Sequence, residues 1–231
     1  MIEKERFEIK DFPLIKIKSK EIIEKTINGS FYMNSLAYYR KLYEDKNDEV
    51  VGDPYEGMLF IHEADMYIPE KNVYEQIRDS AIKTVYVNNY VYCLFGLNPN
   101  IHKSFCFTEE QKEHLTEFDD TAMIITDPYE YFNRIKKAAV ANNYDIHGDF
   151  VIYYDEKIDD CNRFLSATGQ SGKEIVFYKR NRYSYQNEYR FTINNKSGVD
   201  HIELDIGNIS DITRVISTKE LLSSRIEKRA D

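Results

Sequence analysis

The chain of 231 residues is long enough to bury a full hydrophobic core, and its 19 tyrosines and 13 phenylalanines are spread from end to end, which argues against a long disordered segment. With 31 Lys and Arg against 40 Asp and Glu, the net charge of −9 has the wrong sign for non-specific binding to nucleic acid. A charged N-terminus and the absence of any run of about 18 apolar residues indicate a cytoplasmic protein without a signal peptide or membrane span.

The first half of the chain is predicted to alternate short helices and strands. Gly29 is suited to a left-handed helix end, and Ser35 is a good N-cap. Asn88-Asn89 is typical of a hairpin turn. The predicted elements are an extended segment 7–17, a helix 20–27, a strand 30–33, a helix from Leu36 to about Asp45, a turn at Asp53-Pro54, a strand 58–61, a helix 73–81, and a hairpin of 85–87 with 90–95.

The second half is predicted to contain most of the strands. Asp127 as N-cap, Pro128 at the first helical position and Glu130 completing a capping box predict a helix that reaches about Asn142. Strands are predicted at 122–126, 150–154, 174–179, 183–194, 201–204 and 212–216, with a last helix from Lys219 to about Lys228. The pattern indicates an α+β fold, a single domain over residues 1–231 with a mixed, largely antiparallel sheet and flanking helices.

Residues 183–193, Tyr-Ser-Tyr-Gln-Asn-Glu-Tyr-Arg-Phe-Thr-Ile, alternate as a half-buried strand does. The apolar side of this predicted strand carries Tyr183, Tyr185, Asn187, Tyr189, Phe191 and Ile193. Its polar side carries Gln186, Glu188 and Arg190, which on a strand stand roughly 7 Å apart in succession. Three such side chains can hold one small polar ligand together. The alternative is that they form the solvent face of the strand.

Known metal and phosphate motifs are absent from the sequence. The histidines form no helical pair four residues apart, and no two cysteines have zinc-ligand spacing; these residues are His62, His102, His114, His147, His201, Cys93, Cys106 and Cys161. An odd number of scattered cysteines fits a reducing compartment. The sequence contains no phosphate loop, no dinucleotide-binding glycine fingerprint and no Gly-x-Ser-x-Gly elbow. We therefore expect no bound zinc and no P-loop, Rossmann or serine-hydrolase chemistry.

Three segments remain as a candidate site: 31–40, 52–57 and the predicted strand with Glu188. A cationic nicotinamide ring would stack on Tyr38 or Tyr39, and Arg40 would pair with a pyrophosphate. Such a set can hold a dinucleotide. Glu188 would then stabilise an oxocarbenium-like transition state as the glycosidic bond breaks. The alternative is a structural ion pair between Arg40 and Glu188. Asp53 and Glu56 are most simply turn formers.

The same three segments resemble a widespread bacterial and phage family of uncharacterised proteins. The matching runs are Phe-Tyr-Met-Asn-Ser-Leu-Ala-Tyr-Tyr-Arg at 31–40, Gly-Asp-Pro-Tyr-Glu-Gly at 52–57 and Tyr-Ser-Tyr-Gln-Asn-Glu-Tyr-Arg-Phe at 183–191. The match covers the two ends of the chain. The chain departs from the family at Gln186, where the family often has Glu, and at Tyr183, where it usually has Trp.

The pair Gln186 and Glu188 also resembles the catalytic strand of mono-ADP-ribosyltransferases. The resemblance implies that Glu188 orients the nicotinamide ribose and that Gln186 selects the acceptor. Ser166-Ala167-Thr168 approximates the Ser-Thr-Ser strand of one branch of those enzymes, and Arg40 would be the early arginine, although it lies on a predicted helix. Arg190 would support the site by pairing with a carboxylate.

The leading expectation is thus an ADP-ribosyltransferase-like fold and an enzyme that cleaves NAD, its substrate, and modifies a macromolecule. Such an activity fits a toxin or an antiviral defence protein in conflict between bacterium and phage. Nucleic acid is not excluded as the acceptor. A second expectation is a non-catalytic module that binds a nucleotide or a protein through its tyrosines. A third is a metal-dependent nuclease with Asp53, Glu56 and Glu188 around magnesium.

Overall fold

A computed structural model of the protein describes residues 13–46, 50–97, 104–169, 174–194 and 198–227. The α-helices in these ranges are α1 Lys20–Ile27, α2 Leu36–Lys46, α3 Glu109–Thr116, α4 Pro128–Ala141, α5 Cys161–Ala167 and α6 Thr218–Leu222. Short 3₁₀ helices cover Ile175–Phe177, Asn181–Gln186 and Ser210–Ile212. The strands are β1 Leu14–Lys18, β2 Ser30–Ser35, β3 Met58–Ile68, β4 Val73–Lys83, β5 Tyr90–Gly96, β6 Ser104–Cys106, β7 Thr121–Ile125, β8 Ile146–Phe150, β9 Ile152–Tyr154, β10 Tyr178–Arg180, β11 Glu188–Ile193, β12 His201–Asp205, β13 Thr213–Ser217 and β14 Arg225–Glu227. The α+β prediction is therefore confirmed.

The main sheet is antiparallel, and it divides at β5. Its strand order is β12-β2-β5-β1-β7-β13, and β11 pairs with β5 and with β8. One edge of β5 pairs with β11 along residues 90–95. The other edge pairs with β1 only at residues 95–96 and with β2 only at residues 90–91. β1 and β2 therefore diverge from the same edge, and within the described chain residues 92–94 have no strand partner there. We call this opening the fork.

One face of the sheet carries the main hydrophobic core, which α1 and α4 cover. Tyr189, Phe191 and Ile193 of β11 lie in this core, as their alternation predicts. Phe191 makes edge-to-face contacts with Phe31 and Tyr131, an arrangement that aromatic pairs prefer. The core therefore fixes which side of β11 faces away from it, and Glu188 and Arg190 lie on that opposite side.

The local capping signals are confirmed. α1 ends before Gly29, whose φ of 112° requires glycine. The hydroxyl of Ser35 accepts from the N–H of Tyr38 at the start of α2, and Asp127 accepts from the N–H of Glu130 at the start of α4. The Glu130 side chain does not close a capping box, because it instead accepts from Nε of Arg134 at 2.8 Å.

The predicted helix 73–81 is wrong. This segment is β4, which pairs with β3 in a long two-stranded ribbon from Met58↔Lys83 to Ile68↔Val73. Val73, Ile77 and Ala81 are spaced by four residues, a spacing that suits one face of a helix and also one face of a strand. Pairing with β3, which the sequence pattern did not reveal beyond residue 61, decides between the two.

Several other boundaries also differ from the predictions. The predicted strand 90–95 is confirmed as β5, but its hairpin with 85–87 is wrong, because 85–88 form a turn and β5 pairs elsewhere. The predicted strand 174–179 begins as a 3₁₀ helix, and 150–154 divides into the end of β8 and β9. The last helix is only α6, which β14 follows; Lys228 lies outside the described residues, as does the segment 7–12.

Candidate active site

A cavity of about 840 Å³ lies at the fork, on the side of the sheet opposite the main core and reaching through it to α1. Its walls carry more cations than carboxylates, although the whole chain is acidic. The cationic lining residues are Lys16, Lys18, Lys25, Lys46, Lys179 and Arg190, and the acidic ones are Glu56, Glu188 and Glu203. Aliphatic and aromatic side chains form much of the remaining wall, and the aromatic ones are Tyr32, Tyr38, Tyr39, Tyr92, Phe95 and Phe118. The cavity thus combines positive charge with aromatic surface, which suits an anionic, aromatic ligand.

Four buried side chains at the base of this cavity form a network of ion pairs. They are Glu56, Lys179, Glu188 and Arg190, which we call the charge cluster. Each is at most 5% exposed. The two cations and two carboxylates cancel, so the cluster satisfies the requirement that buried charges be paired.

Arg190 is the centre of the charge cluster. Its Nη1 and Nη2 donate to the two oxygens of Glu56 at 3.0 and 3.1 Å. Its Nε and Nη2 donate to Oε2 of Glu188 at 3.2 and 2.8 Å, and Nη1 also donates to the carbonyl of Val176. All three nitrogens of the guanidinium are therefore engaged. Arg190 pairs with a carboxylate as expected, and these bonds leave it no group to bind a ligand.

Lys179 closes the cluster from the other side. Its Nζ donates to Oε1 of Glu188 at 2.5 Å and to Oε1 of Gln186 at 2.6 Å, and it lies 3.3 Å from Oε1 of Glu56. An ammonium has three N–H donors, and these three acceptors match them. The contact brings together the two residues that the sequence pairs as Gln-x-Glu.

Gln186 and Glu188 do not lie on one strand, which corrects the prediction for 183–187. Gln186 ends the 3₁₀ helix Asn181–Gln186, and Asn187 adopts a left-handed conformation with φ of 43° before β11 begins at Glu188. The Asn187 side chain donates to the carbonyl of Gly96, and its own carbonyl accepts from the N–H of Gly96. The expected solvent-facing alternative is also wrong, because Gln186 and Glu188 are 6% and 5% exposed.

The ionisation of the cluster follows from its contacts. Burial opposes the charge on Glu188, but Arg190 and Lys179 outweigh burial and hold the pKa of this carboxyl far below its ordinary value. Burial likewise acts against Glu56, and Arg190 and Lys179 lower its pKa. Glu188 is consequently an anion at neutral pH.

Lys16 stands in the fork itself. Its Nζ donates to the carbonyl of Cys93 at 2.8 Å, on the edge of β5 that β1 and β2 leave open, and lies 3.9 Å from the centre of the Tyr92 ring. Burial and the nearby charge of Lys18 lower the pKa of Lys16 to about 8. Among the described residues, no carboxylate lies within salt-bridge distance of this ammonium. A partly buried lysine without a salt-bridge partner in a cleft is a candidate ligand-binding residue.

Comparison with protein-family models, with curated proteins and with solved structures gave no match for this chain. The site is therefore interpreted from its own residues. No helix in the described part of the chain has the length and apolar character needed to cross a membrane.

The structure separates the other expected ligand-binding residues. Tyr38 and Tyr39 do line the cavity, with their rings edge to face at 5.4 Å. Arg40 points away from it and donates from Nη1 to the carbonyls of Glu56 and Val87. Ser166 lies in α5, fully buried, and donates to the carbonyl of Asn162. Neither Arg40 nor Ser166 is among the residues that line the cavity, and Arg40 forms no ion pair with Glu188.

Asp53 and Glu56 are more than turn formers. Asp53 does accept from the N–H of Tyr55 in the turn, but its Oδ1 also lies 2.8 Å from Nη2 of Arg180. Within the described residues, no group of three or more His, Cys, Asp and Glu side chains is placed to hold a metal ion. The carboxylates of the expected magnesium site, Asp53, Glu56 and Glu188, are each paired with Lys or Arg.

Sequence reasoning missed Lys16 and Lys179. Lys16 was detectable in principle, because the run Leu-Ile-Lys-Ile-Lys alternates lysine with isoleucine inside a strand that otherwise looks buried. Lys179 follows the apolar run Ile-Val-Phe-Tyr at 175–178, where a lysine signals a paired charge. Neither pattern identifies the residues that these lysines contact, because those residues lie in distant segments of the chain.

Proposed function

We propose that this protein is an ADP-ribosyltransferase-like enzyme that binds NAD in the fork cavity and breaks its nicotinamide–ribose bond. The observation that carries the proposal is Glu188, an ionised carboxylate in the wall of a large cavity that is otherwise rich in cations and aromatic rings. The macromolecular acceptor would approach from outside the cavity. We place the activity in the cytoplasm, where NAD is available.

Different residues of the cavity lining would bind different parts of such a dinucleotide. Tyr38 and Tyr39 offer rings on which a nicotinamide can stack. Lys16 replaces Arg40 as the cation for the pyrophosphate, because it lines the cavity without a carboxylate partner in the described structure. The pyrophosphate would thus provide a counter-ion for the Lys16 ammonium.

Glu188 retains a site for a substrate hydroxyl. Its Oε2 accepts from two nitrogens of Arg190, whereas Oε1 accepts from Lys179. A carboxylate oxygen has two lone pairs, so Oε1 can accept one more hydrogen bond, from a ribose hydroxyl. The negative charge would then stabilise the positive ribose as the bond to nicotinamide lengthens.

The proposed reaction balances without a metal or a redox step. The bond between ribose C1′ and the nicotinamide nitrogen breaks, and its electron pair leaves with the ring, which becomes neutral. A nucleophile on the acceptor forms the new bond to C1′ and releases its proton. The products are the ADP-ribosylated acceptor, nicotinamide and one proton; with water as nucleophile they are ADP-ribose, nicotinamide and one proton.

The test is to incubate purified protein with labelled NAD and cell lysate and to measure free nicotinamide and transferred label. Replacing Glu188 by Gln is expected to abolish both signals. Asp53→Asn is the matched control, because it also removes a buried carboxylate that pairs with an arginine, Arg180, but Asp53 does not line the cavity. We expect the Asp53 variant to retain turnover per folded molecule. Turnover that survives in Glu188→Gln rejects this mechanism.

A second candidate is a nucleotide-binding module without catalysis. Two observations favour it: every N–H of Arg190 is already hydrogen-bonded within the protein, and the negative charge of Glu188 is already balanced by Lys179 and Arg190. Calorimetry with NAD separates the two functions. Binding that Lys16→Met weakens, with no nicotinamide released from the wild type, would identify the binding module.

A further inference from the structure

The side chains of Gln186 and Glu188 share the ammonium of Lys179, although the backbone between them is not a regular strand. On a regular strand, positions two apart would share one face by geometry alone. Here Asn187 is left-handed, with φ of 43°, and Gln186 belongs to a 3₁₀ helix. A side-chain contact must therefore bring the two functional groups together.

We propose that Lys179 is the positioning residue of the site, holding one oxygen of Gln186 and one oxygen of Glu188 side by side at the cavity wall. The ammonium is the shared partner of both side chains, at 2.6 and 2.5 Å. This inference rests on the proposed function for its catalytic meaning. The contacts of Lys179 with Gln186 and Glu188 do not depend on that function.

The small sheet of β9 and β10 holds Glu188 at two points. β10 pairs in parallel with β9, where Lys179 lies opposite Tyr153. The Tyr153 hydroxyl accepts from the backbone N–H of Glu188 at 2.8 Å, while Lys179 binds the carboxylate of the same residue. Neighbouring residues of one small sheet therefore fix both the main chain and the side chain of Glu188.

Gln186 is held just as firmly at its other end. Its carbonyl oxygen accepts from Lys179, and its Nε2 donates to the carbonyl of Val50 at 2.7 Å. These contacts fix which end of the amide faces the ammonium, since only the oxygen can accept. Without Lys179, the Gln186 carbonyl would lose its charged donor, and the amide would be held through Nε2, to Val50 and Tyr185, without a link to Glu188.

Removing Lys179 also changes the charge that Glu188 experiences. The groups around this carboxyl are Arg190, Lys179, Glu56, Lys16, Cys93, Tyr153 and Tyr39. Lys179→Met leaves two carboxylates with Arg190 as the one remaining cation inside the charge cluster. We expect the pKa of Glu188 to rise, because burial then acts against a weaker opposing charge.

The experiment compares Lys179→Met with Arg180→Met. Arg180 is the adjacent residue, is equally buried, and pairs with Asp53 and Glu156 instead of Glu188. Both variants lose a buried cation that is paired with carboxylates. Lys179→Arg is the conservative variant, because it keeps the positive charge. It replaces Lys179→Met in the comparison if the Met variant does not fold.

The first readout needs no turnover. Carbon-13 spectra of glutamate-labelled protein, with the Glu188 signal assigned from Glu188→Gln, follow ionisation of this carboxyl with pH. We expect the titration to move to higher pH in Lys179→Met and to stay in place in Arg180→Met and Lys179→Arg. An unchanged titration in a folded Lys179→Met protein overturns the inference.

The second readout is turnover of NAD. We expect kcat to fall on the order of 100-fold in Lys179→Met with little change in KM, since an error of about 1 Å at a reacting group has that effect. The activity that remains in Lys179→Met should decrease at low pH. The pH profile of Arg180→Met should not show this decrease. If the wild type releases no nicotinamide, the proposed function fails, and the carbon-13 titration still decides the role of Lys179.

Discussion

Glu56 and Arg190, which are 134 positions apart in the chain, form a two-point ion pair of 3.0 and 3.1 Å beneath the fork cavity. The pair joins the 53–57 turn to β11, and both residues are almost fully buried. Planar guanidinium and carboxylate groups match in this arrangement, which gives direction as well as attraction. The contact therefore fixes the turn against the strand that carries Glu188.

The stability of the charge cluster should depend on its neutrality. Glu56→Gln leaves one excess positive charge and Arg190→Met one excess negative charge, each expected to cost about 3–5 kcal/mol in free energy of unfolding. The double variant leaves Lys179 opposite Glu188 and is again neutral. We expect its cost to be at least about 1 kcal/mol below the sum of the single costs, measured by urea unfolding. Additive costs would contradict a coupled cluster.

The left-handed residue before β11 should tolerate glycine better than alanine. Asn187→Gly keeps the conformation and loses the side-chain bond to the Gly96 carbonyl. Asn187→Ala loses the same bond and adds about 1–2 kcal/mol of backbone strain. Thermal and urea unfolding of the two variants should differ by roughly that amount. Equal stability would mean that this residue is not left-handed in solution.

Binding of an anionic ligand in the fork should weaken as the pH rises through about 8. Below that pH, Lys16 is an ammonium, and above it the group loses its charge. Because an anion binds the charged form, affinity for NAD should be highest below pH 8 and fall toward pH 9, as followed by calorimetry. Lys16→Met should remove this dependence.

The control for the Lys16 experiment is Lys20→Met, which changes an exposed lysine of α1 paired with Glu24 outside the cavity. Both variants alter the net charge of the protein equally. If Lys20→Met and Lys16→Met had the same effect on affinity, the fork would not be the anion site.

Arg40 should contribute to stability and not to nucleotide affinity. Its Nη1 donates to the carbonyls of Glu56 and Val87, and Nη2 donates to Asn88. Arg40→Met should lower the free energy of unfolding by about 1–3 kcal/mol, because carbonyl acceptors lose a charged donor. The dissociation constant for NAD should stay within twofold of the wild-type value. A large loss of affinity would restore Arg40 as a pyrophosphate ligand.

Elements whose signals are local were predictable. α1 ends before the stop signal Gly29, and α4 begins with the capping residue Asp127 and with Pro128. The alternation of Tyr189, Phe191 and Ile193 sets the buried side of β11. Glu188 could be singled out for the same reason, because strict alternation placed a carboxylate opposite an aromatic face. Such signals depend on neighbours in sequence, so the chain determines them before it folds.

Contacts between distant segments decided the rest. The strand conformation of 73–83 depends on pairing with β3, and the position of Gln186 depends on Lys179 and Val50. The fork exists because β1 and β2 pair with different parts of the same edge of β5. The sequence of one strand alone does not show this arrangement. Lys16 gains its altered ionisation only there. The sequence by itself thus determined which residues carry charge and which face of β11 is apolar, and tertiary pairing determined which charges meet.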